Sequence, residues 1–458
     1  MNSIKQYTIS NKEKVGYAFG DTAANIAWRP LMSFLPIFYT DVAGLSLAAV
    51  SLLLIITRSS DGITDVMMGT VADRTKTKWG KFRPWLLWTS IPFGVLIALT
   101  FTSPQWSYTG KLVWAYITYI SFTLVYTMNN VPYSALMGVM TSNLKERNML
   151  SSFRFAGAYF GGAISLLLIP ILVKALGKGD ENIGYQYTMY MLAILMIVFT
   201  LITFFSTRER VYPPKSADQN LKNDFKDLVT NIPWIITLLV GFLFVVNNSI
   251  KQGVAAYYFK YYVETSMDNG ILVGYYLTAL VLISFVAAAI SGPLTNKYGK
   301  KQFLIFIMLL SMITNSLLYF ASSTSIAYVF VIGGISEFLI AIVPVIFFSM
   351  LADTADYSEW KNRRRATGLV FSAGTFAMKF GGGVAGAVML MVMNAFGYNP
   401  DAASQTTESL VGIRLNMSVI PGVFLIVAIV LIFFYKLDKK KMTEIENELE
   451  YRRAEESK

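Results

Sequence analysis

The chain reads as an all-α membrane protein: twelve transmembrane helices in two pseudo-symmetric six-helix bundles, with the N- and C-termini cytoplasmic. Three observations predict this. The 458 residues are 54% hydrophobic and only 15% charged, whereas a soluble domain carries about 25% charged residues. Continuous apolar runs, each near the roughly 20 residues that cross a bilayer, recur along the whole length. Lysine and arginine concentrate in every second connection between them.

The runs fall at about 15–41, 46–72, 84–103, 110–140, 150–174, 186–206, 231–261, 270–296, 302–321, 325–352, 367–396 and 411–436. In hydrocarbon only helices and closed barrels satisfy the backbone, and these runs are continuous rather than alternating, hence helical. Arg74, Lys76, Lys78, Lys81 and Arg83 follow the second run, and Lys145 and Arg147 the fourth. Arg208 to Lys226 follow the sixth, Lys297 to Lys301 the eighth, Lys361 to Arg365 the tenth, and KLDKKKM the last. The intervening connections carry acids instead, among them Asp180, Glu181, Glu264, Asp268, Asp401 and Glu408. The positive-inside rule then makes both termini and the even-to-odd loops cytoplasmic. It also accounts for the net charge of +11 without nucleic acid. The start, MNSIKQYTISNKEKVGY, is polar, so no removable signal peptide is expected.

The chain has no cysteine and no histidine. Disulfides, thiolate chemistry, imidazole metal sites and histidine proton relays are therefore excluded. No GxxxxGK[ST] motif is present, so a nucleotide is not the energy source.

The longest polar connection, RERVYPPKSADQNLKNDFKD, divides the chain into bundles 1–207 and 231–437, joined by a cytoplasmic loop at 208–230 and followed by a charged tail at 438–458. The halves echo each other: GTVADRTKTKWGKF ends the second run and GPLTNKYGKKQF the eighth, each closing on an aromatic-Gly-Lys turn. Two six-helix halves related by an axis along the membrane normal form a transporter plan with substrate bound at the midplane. Five blocks add to this: YAFGD at 17–21, RSSDGITDVMMG at 58–69, YTMNNVPYSALMG at 126–138, LADTADYSEW at 351–360 and GTFAMKFGGG at 374–383. Through them the chain resembles the glycoside–pentoside–hexuronide:cation symporters of the major facilitator superfamily, the group of the melibiose carrier. The resemblance implies a secondary active symporter of the cell inner membrane, not an enzyme. It would import a sugar, glycoside or uronide with Na+ or H+ by alternating access, with no cofactor beyond the coupling ion. Its partners would be substrate, cation and lipid bilayer, and a monomer is expected.

Asp61 and Asp65 lie four residues apart, about 40° around one helical face, with Arg58 a turn earlier. A charge at membrane depth costs a few kcal/mol or more unless paired or set against a wet cavity. Two neighbouring carboxylates raise each other's affinity for positive charge, so the pair suits Na+ or a proton, with Thr64 and Thr127 as neutral oxygen donors. The competing reading is a structural charge network with Lys379. The resemblance implies the cation site at Asp61, Thr64, Asp65 and Thr127. The family member best known for sodium use has asparagine where Thr64 stands and aspartate where Asn130 stands, which keeps proton coupling level with sodium.

Asp21 is a second carboxylate at membrane depth, with Trp28 seven residues on and roughly on the same face. A carboxylate takes hydrogen bonds from sugar hydroxyls, and an aromatic face covers the C–H side of the ring. Trp28 is equally open to reading as an interfacial anchor. The resemblance implies sugar contacts from Asp21, Asn130 and Arg154, the last otherwise a residue snorkelling to the interface. Where the family carries a helix-4 tryptophan this chain has Ser134, so that stacking surface is missing. Lys251, Arg154, Lys379 and Arg29 would receive a carboxylated sugar, a lean toward a uronide or pentoside; alternatively Lys251 sits near the periplasmic end and binds nothing.

At the cytoplasmic ends of helices, Asp73, Arg74, Asp353, Asp356, Glu359 and Arg363 form a candidate gate of opposite charges. Gly161, Gly162 and Gly381 to Gly383 allow close helix approach. A lysophospholipid symporter on the same scaffold is the rival within transport, opposed by Asp21 and Asn130. A membrane enzyme would need carboxylates or Lys379 for acid–base work, and no nucleophile–base pair stands out.

Overall fold

The computed structural model describes residues 9–141, 144–210, 228–363, 367–402 and 404–456. The described residues are almost wholly helical: α1 (Asn11–Ser33), α2 (Leu47–Arg74), α3 (Arg83–Thr100), α4 (Tyr108–Met140), α5 (Leu144–Gly177), α6 (Glu181–Ser206), α7 (Ile232–Tyr261), α8 (Asn269–Tyr298), α9 (Lys300–Leu317), α10 (Ile326–Ile340), α11 (Val343–Asn362), α12 (Thr367–Ala395), α13 (Thr407–Met417), α14 (Val419–Phe433) and α15 (Lys439–Glu456). Polar residues in the connections start them. The side chains of Ser10, Ser46, Ser107 and Asp180 accept the N–H three residues on, as do Asn231, Asp268 and Asp438.

Nine stretches among the described residues are long and apolar enough to cross a membrane. Two of them each join two helices, α10 with α11 and α13 with α14. Pro344 and Pro421 sit just beyond those breaks, where a proline's missing N–H costs least. The helices α1, α3 and α4 fall outside the nine. Their sequences explain why: α1 carries Lys12, Glu13, Lys14, Asp21 and Arg29, α4 is rich in tyrosine, threonine and asparagine, and α3 opens on Arg83 and Pro84 and carries Thr89, Ser90 and Pro92. The tail expected at 438–458 as merely charged forms α15, whose Met442, Ile445 and Leu449 are buried in the core of α7, α9, α11 and α14.

The chain forms two compact units. The first comprises residues 1–215 with 255–281 and 397–406; the second comprises 216–254, 282–396 and 407–458. In the first, α1 lies against α5 with backbones nearly touching. A Cβ on Gly157 would come 2.4 Å from the Ala18 carbonyl oxygen, and one on Gly161 2.3 Å from that of Thr22. Thr22 Oγ1 donates to the Gly157 carbonyl at 3.1 Å. The repeated aromatic-Gly-Lys turns have a shared backbone reason: Gly80 has φ +111° and Gly299 φ +82°, where a side chain is strained. At the first turn Glu209 accepts the backbone N–H groups of Lys81, Phe82 and Arg83 at 2.7–2.9 Å, closing the N-terminus of α3 with a carboxylate.

Candidate functional site

In the first unit the close approach of α1 and α5 brings Arg154 to Asp21. The guanidinium Nε donates to Asp21 Oδ2, and Nη2 donates to Ser134 Oγ of α4 at 3.0 Å. The guanidinium carbon lies 5.0 Å from the Tyr133 ring centroid, a cation–π contact. Tyr133 is in turn held by Tyr17: the rings stack at 4.7 Å, and each hydroxyl donates to the other residue's carbonyl oxygen, at 3.1 Å and 2.9 Å. Arg154 therefore faces a carboxylate and two α4 side chains, and the reading in which it snorkels to the interface is corrected. Tyr133 and the positive role of Ser134 were missed in the sequence, where Ser134 registered only as an absent tryptophan. Trp28 packs on Tyr126 with ring centroids 5.2 Å apart, and Asn130 is half-buried on α4.

On α2 the acids turn away from the exposed face. Asp61 is 4% exposed, whereas Ile63 and Met67 are 67% and 61% exposed. Asp65 Oδ1 accepts a hydrogen bond from Thr127 Oγ1 of α4 at 3.1 Å. Thr64 donates its hydroxyl to the backbone carbonyls of Ser60 and Asp61 at 3.3 Å and 3.0 Å, which leaves its oxygen lone pairs for another ligand. Thr127, Asn130 and Ser134 follow the i, i+3, i+7 spacing, so they share one face of α4. The Asp65 contact and the Arg154 contact are thus about two turns apart on one helix stripe. The side chains of Arg58 and Asp73 lie outside the described residues, as do Arg364 and Arg365.

In the second unit Lys251 is buried in α7. Its Nζ donates to Ser336 Oγ at 3.1 Å and lies 3.8 Å from Glu337 Oε2. Glu337 also accepts from Ser284 at 2.8 Å and from Asn248 at 3.4 Å. Lys251 therefore lies ten residues before the end of α7, engaged by side chains of α10. Glu337 went unnoticed because a lone acid within ISEFLIAIV carries no spacing signal. Lys379 is half-buried on α12 in this unit.

Among the candidate gate residues, Asp353 receives Lys300 Nζ on both carboxylate oxygens at 2.6 Å and 2.7 Å. Arg363 caps α11 with φ +54°, its N–H on the Glu359 carbonyl at 2.8 Å. Arg74 is exposed at the end of α2, and Asp356 is half-buried on α11. Two ion pairs at the start of α1 were also missed in the sequence. Glu13 takes Arg210 Nη1 and Nη2 at 2.7 Å and 2.8 Å, and Lys14 Nζ lies 2.9 Å from Glu146.

Comparison with known proteins identifies the family. Residues 16–439 match the family described as MFS/sugar transport protein. YagG of Escherichia coli K12, provisionally named a glycoside/cation symporter, is 34% identical over 97% of this chain and 96% of its own length. The isoprimeverose transporter of Lactiplantibacillus pentosus is 34% identical over 93% of this chain and 89% of its own. A solved bacterial homologue of the human lysosomal transporter Spinster shares the fold, with TM-score 0.71 at 14% identity, covering 95% of this chain and 99% of that one. The match over nearly the whole length leads to one conclusion: the chain belongs to the MFS/sugar transport family, as a multi-pass inner-membrane transporter of the glycoside–pentoside–hexuronide:cation type and not an enzyme.

Proposed function

We propose that the chain is a twelve-helix symporter that imports a glycoside together with Na+ or H+, termini on the cytoplasmic side. Asp21, Arg154, Asn130 and Trp28 contact the sugar; Asp61, Asp65, Thr64 and Thr127 hold the cation. The observation that carries this reading is the α4 stripe, on which Thr127 is bonded to Asp65 and Ser134 to Arg154. A cation arriving at Asp65 competes with the Thr127 proton for the carboxylate, and Thr127 is then free to present a lone pair. Sugar hydroxyls compete for Asp21 and Arg154 in the same way, two turns along. Both ligands therefore act on the position of one rigid helix, which is a physical route for coupling.

Two ion pairs bear on the substrate. Arg154 and Lys251 are each neutralised by a carboxylate of the chain, Asp21 and Glu337. That favours an uncharged glycoside over a uronide. The coupling energy suffices: one charge moving through 100 mV yields about 2.3 kcal/mol, roughly fiftyfold accumulation of a neutral substrate. In this cycle Asp73, Arg74, Asp353, Asp356, Glu359 and Arg363 act as the cytoplasmic gate.

Counterflow of a labelled sugar panel into proteoliposomes tests the reading, with Na+ varied at fixed pH and wild type compared with Asp65→Asn. Saturable exchange of a neutral glycoside, cation-dependent and lost in Asp65→Asn, is expected. Chemical alteration of the label, or uptake indifferent to both Na+ and pH gradients, would defeat it.

A further inference from the structure

Asp41 belongs to neither candidate site, yet it is among the most heavily engaged side chains in the first unit. It sits on Phe38–Val42, a five-residue π-helical stretch following α1. Such widened turns re-aim side chains and recur at functional positions. The Asp41 side chain is 1% exposed. Its Oδ1 accepts from Tyr398 at 2.6 Å and from Thr40 at 2.7 Å; its Oδ2 accepts from Lys260 at 3.1 Å and from the Tyr261 hydroxyl. Tyr257 adds a hydroxyl contact to Thr40 at 2.9 Å and meets the Tyr398 ring edge-on at 5.5 Å.

The donors come from two places remote in sequence: the end of α7 and the connection between α12 and α13. These are the stretches of the later chain, 255–281 and 397–406, that join the first unit. Beside the cluster lies a cavity of about 550 Å³ whose walls include Phe34, Val173, Tyr185, Lys260, Asp268 and Val273. Lys174 Nζ spans to Asp268 at 2.9 Å on its rim, with side chains 58% and 32% exposed. The face is the one on which the acidic connections lie, external by the charge distribution.

We propose that the Asp41 cluster is the external gate of the transporter, and that the neighbouring cavity becomes the entry vestibule for a polyhydroxylated substrate when the bonds to Lys260, Tyr261 and Tyr398 break. This rests on the alternating-access reading above. One buried carboxylate gathers four donors, three of them on the later-chain stretches that part from it when the gate opens. Charge-assisted bonds of this kind are about twice as strong as neutral ones. The exposed Lys174–Asp268 pair is a weak second contact. An open gate returns Asp41 and its donors to water, so the transition is a switch of partners and leaves no charge stranded.

The chain is free of cysteine, so Val273→Cys on the cavity wall is a unique label in otherwise intact protein. Its alkylation by a membrane-impermeant maleimide is measured in right-side-out vesicles, with Leu192→Cys, buried in α6, as the reporter of general unfolding. Asp41→Asn, and separately Tyr261→Phe with Tyr398→Phe, are expected to raise Val273→Cys labelling about tenfold or more and leave Leu192→Cys unchanged. Lys174→Ala is expected to change it less than about threefold. The doubly substituted tyrosine variant keeps both rings, so the test survives if Asp41→Asn folds poorly. Unchanged labelling in both variants, an equal rise from Lys174→Ala, or a parallel rise at Leu192→Cys overturns the proposal. Labelling needs no substrate: a gate that responds without sugar counterflow sinks the symport reading alone, and counterflow with an unresponsive gate sinks this one alone.

Discussion

Substituting the Asp21–Arg154 pair singly and together separates a binding role from a structural one. Arg154→Met leaves Asp21 buried without its partner, its side chain only 9% exposed. Removing one member of a buried pair costs about 3–5 kcal/mol, because the remaining charge is stranded. Arg154 is 23% exposed and also donates to Ser134, so the lower end, about 3 kcal/mol, is expected for Arg154→Met. Asp21→Val strands the arginine, which keeps its contacts with Ser134 and Tyr133, and should cost somewhat less. Replacing both by apolar residues of similar size removes the desolvation penalty along with the attraction and is commonly near neutral. The double variant should therefore melt within about 1–2 kcal/mol of wild type in detergent. Transport should behave differently. Each sugar hydroxyl lost from a charged partner is worth about 1.5–3 kcal/mol, about tenfold to 150-fold in affinity. Counterflow should then be lost in both single variants and stay lost in the double. Recovery of counterflow in the double variant, in step with its stability, would refute the sugar-binding assignment and leave the pair as scaffold.

Thr127→Val keeps the shape of the side chain and removes its 3.1 Å bond to Asp65; the cation concentration for half-maximal uptake should rise about tenfold with little change in the maximal rate, read from uptake against Na+ at fixed pH and against pH without Na+. Gly157→Ala places a methyl group against the Ala18 carbonyl and should lower stability by about 1–3 kcal/mol, whereas Gly138→Ala meets nothing within 4 Å and should raise it by up to about 1 kcal/mol, a contrast readable from paired melts. Glu146 is held below the ordinary carboxylate value, chiefly by the hydrogen bond from Lys14 and further by the Ile9 N–H. Its folded value is depressed, so its stabilising effect is complete above the unfolded carboxylate pKa and disappears as pH falls through the folded value. Melts of wild type and Glu146→Gln should therefore run parallel from pH 5 to 8 and converge at more acid pH.

Much of the architecture is legible along one dimension. Partitioning into lipid depends on local composition, so many helix positions came out within a few residues: α2 expected at 46–72 spans Leu47–Arg74, and α8 expected at 270–296 spans Asn269–Tyr298. The first run, expected at 15–41, instead leaves α1 at Ser33, and the tenth, expected at 325–352, is split into α10 and α11 and reaches Asn362. The glycines of WGK and YGK announced turns because only glycine takes their backbone angles without strain. Asp61, Asp65 and Asp21 stood out because a charge in an apolar run is costly enough to need a reason. What such reasoning could not reach is pairing. Whether Arg154 meets Asp21 or the lipid headgroups depends on how closely α1 and α5 approach, which Gly157 and Gly161 decide only once the two helices are side by side. Glu337 acquires meaning from Lys251 85 or so residues earlier, and Asp41 from tyrosines more than 200 residues later. Hydropathy and spacing act through the solvent and the immediate turn, and are therefore written in sequence order. Ion pairs, shared helix faces and the external cluster act through space, and only the packed helices bring their members within hydrogen-bond distance.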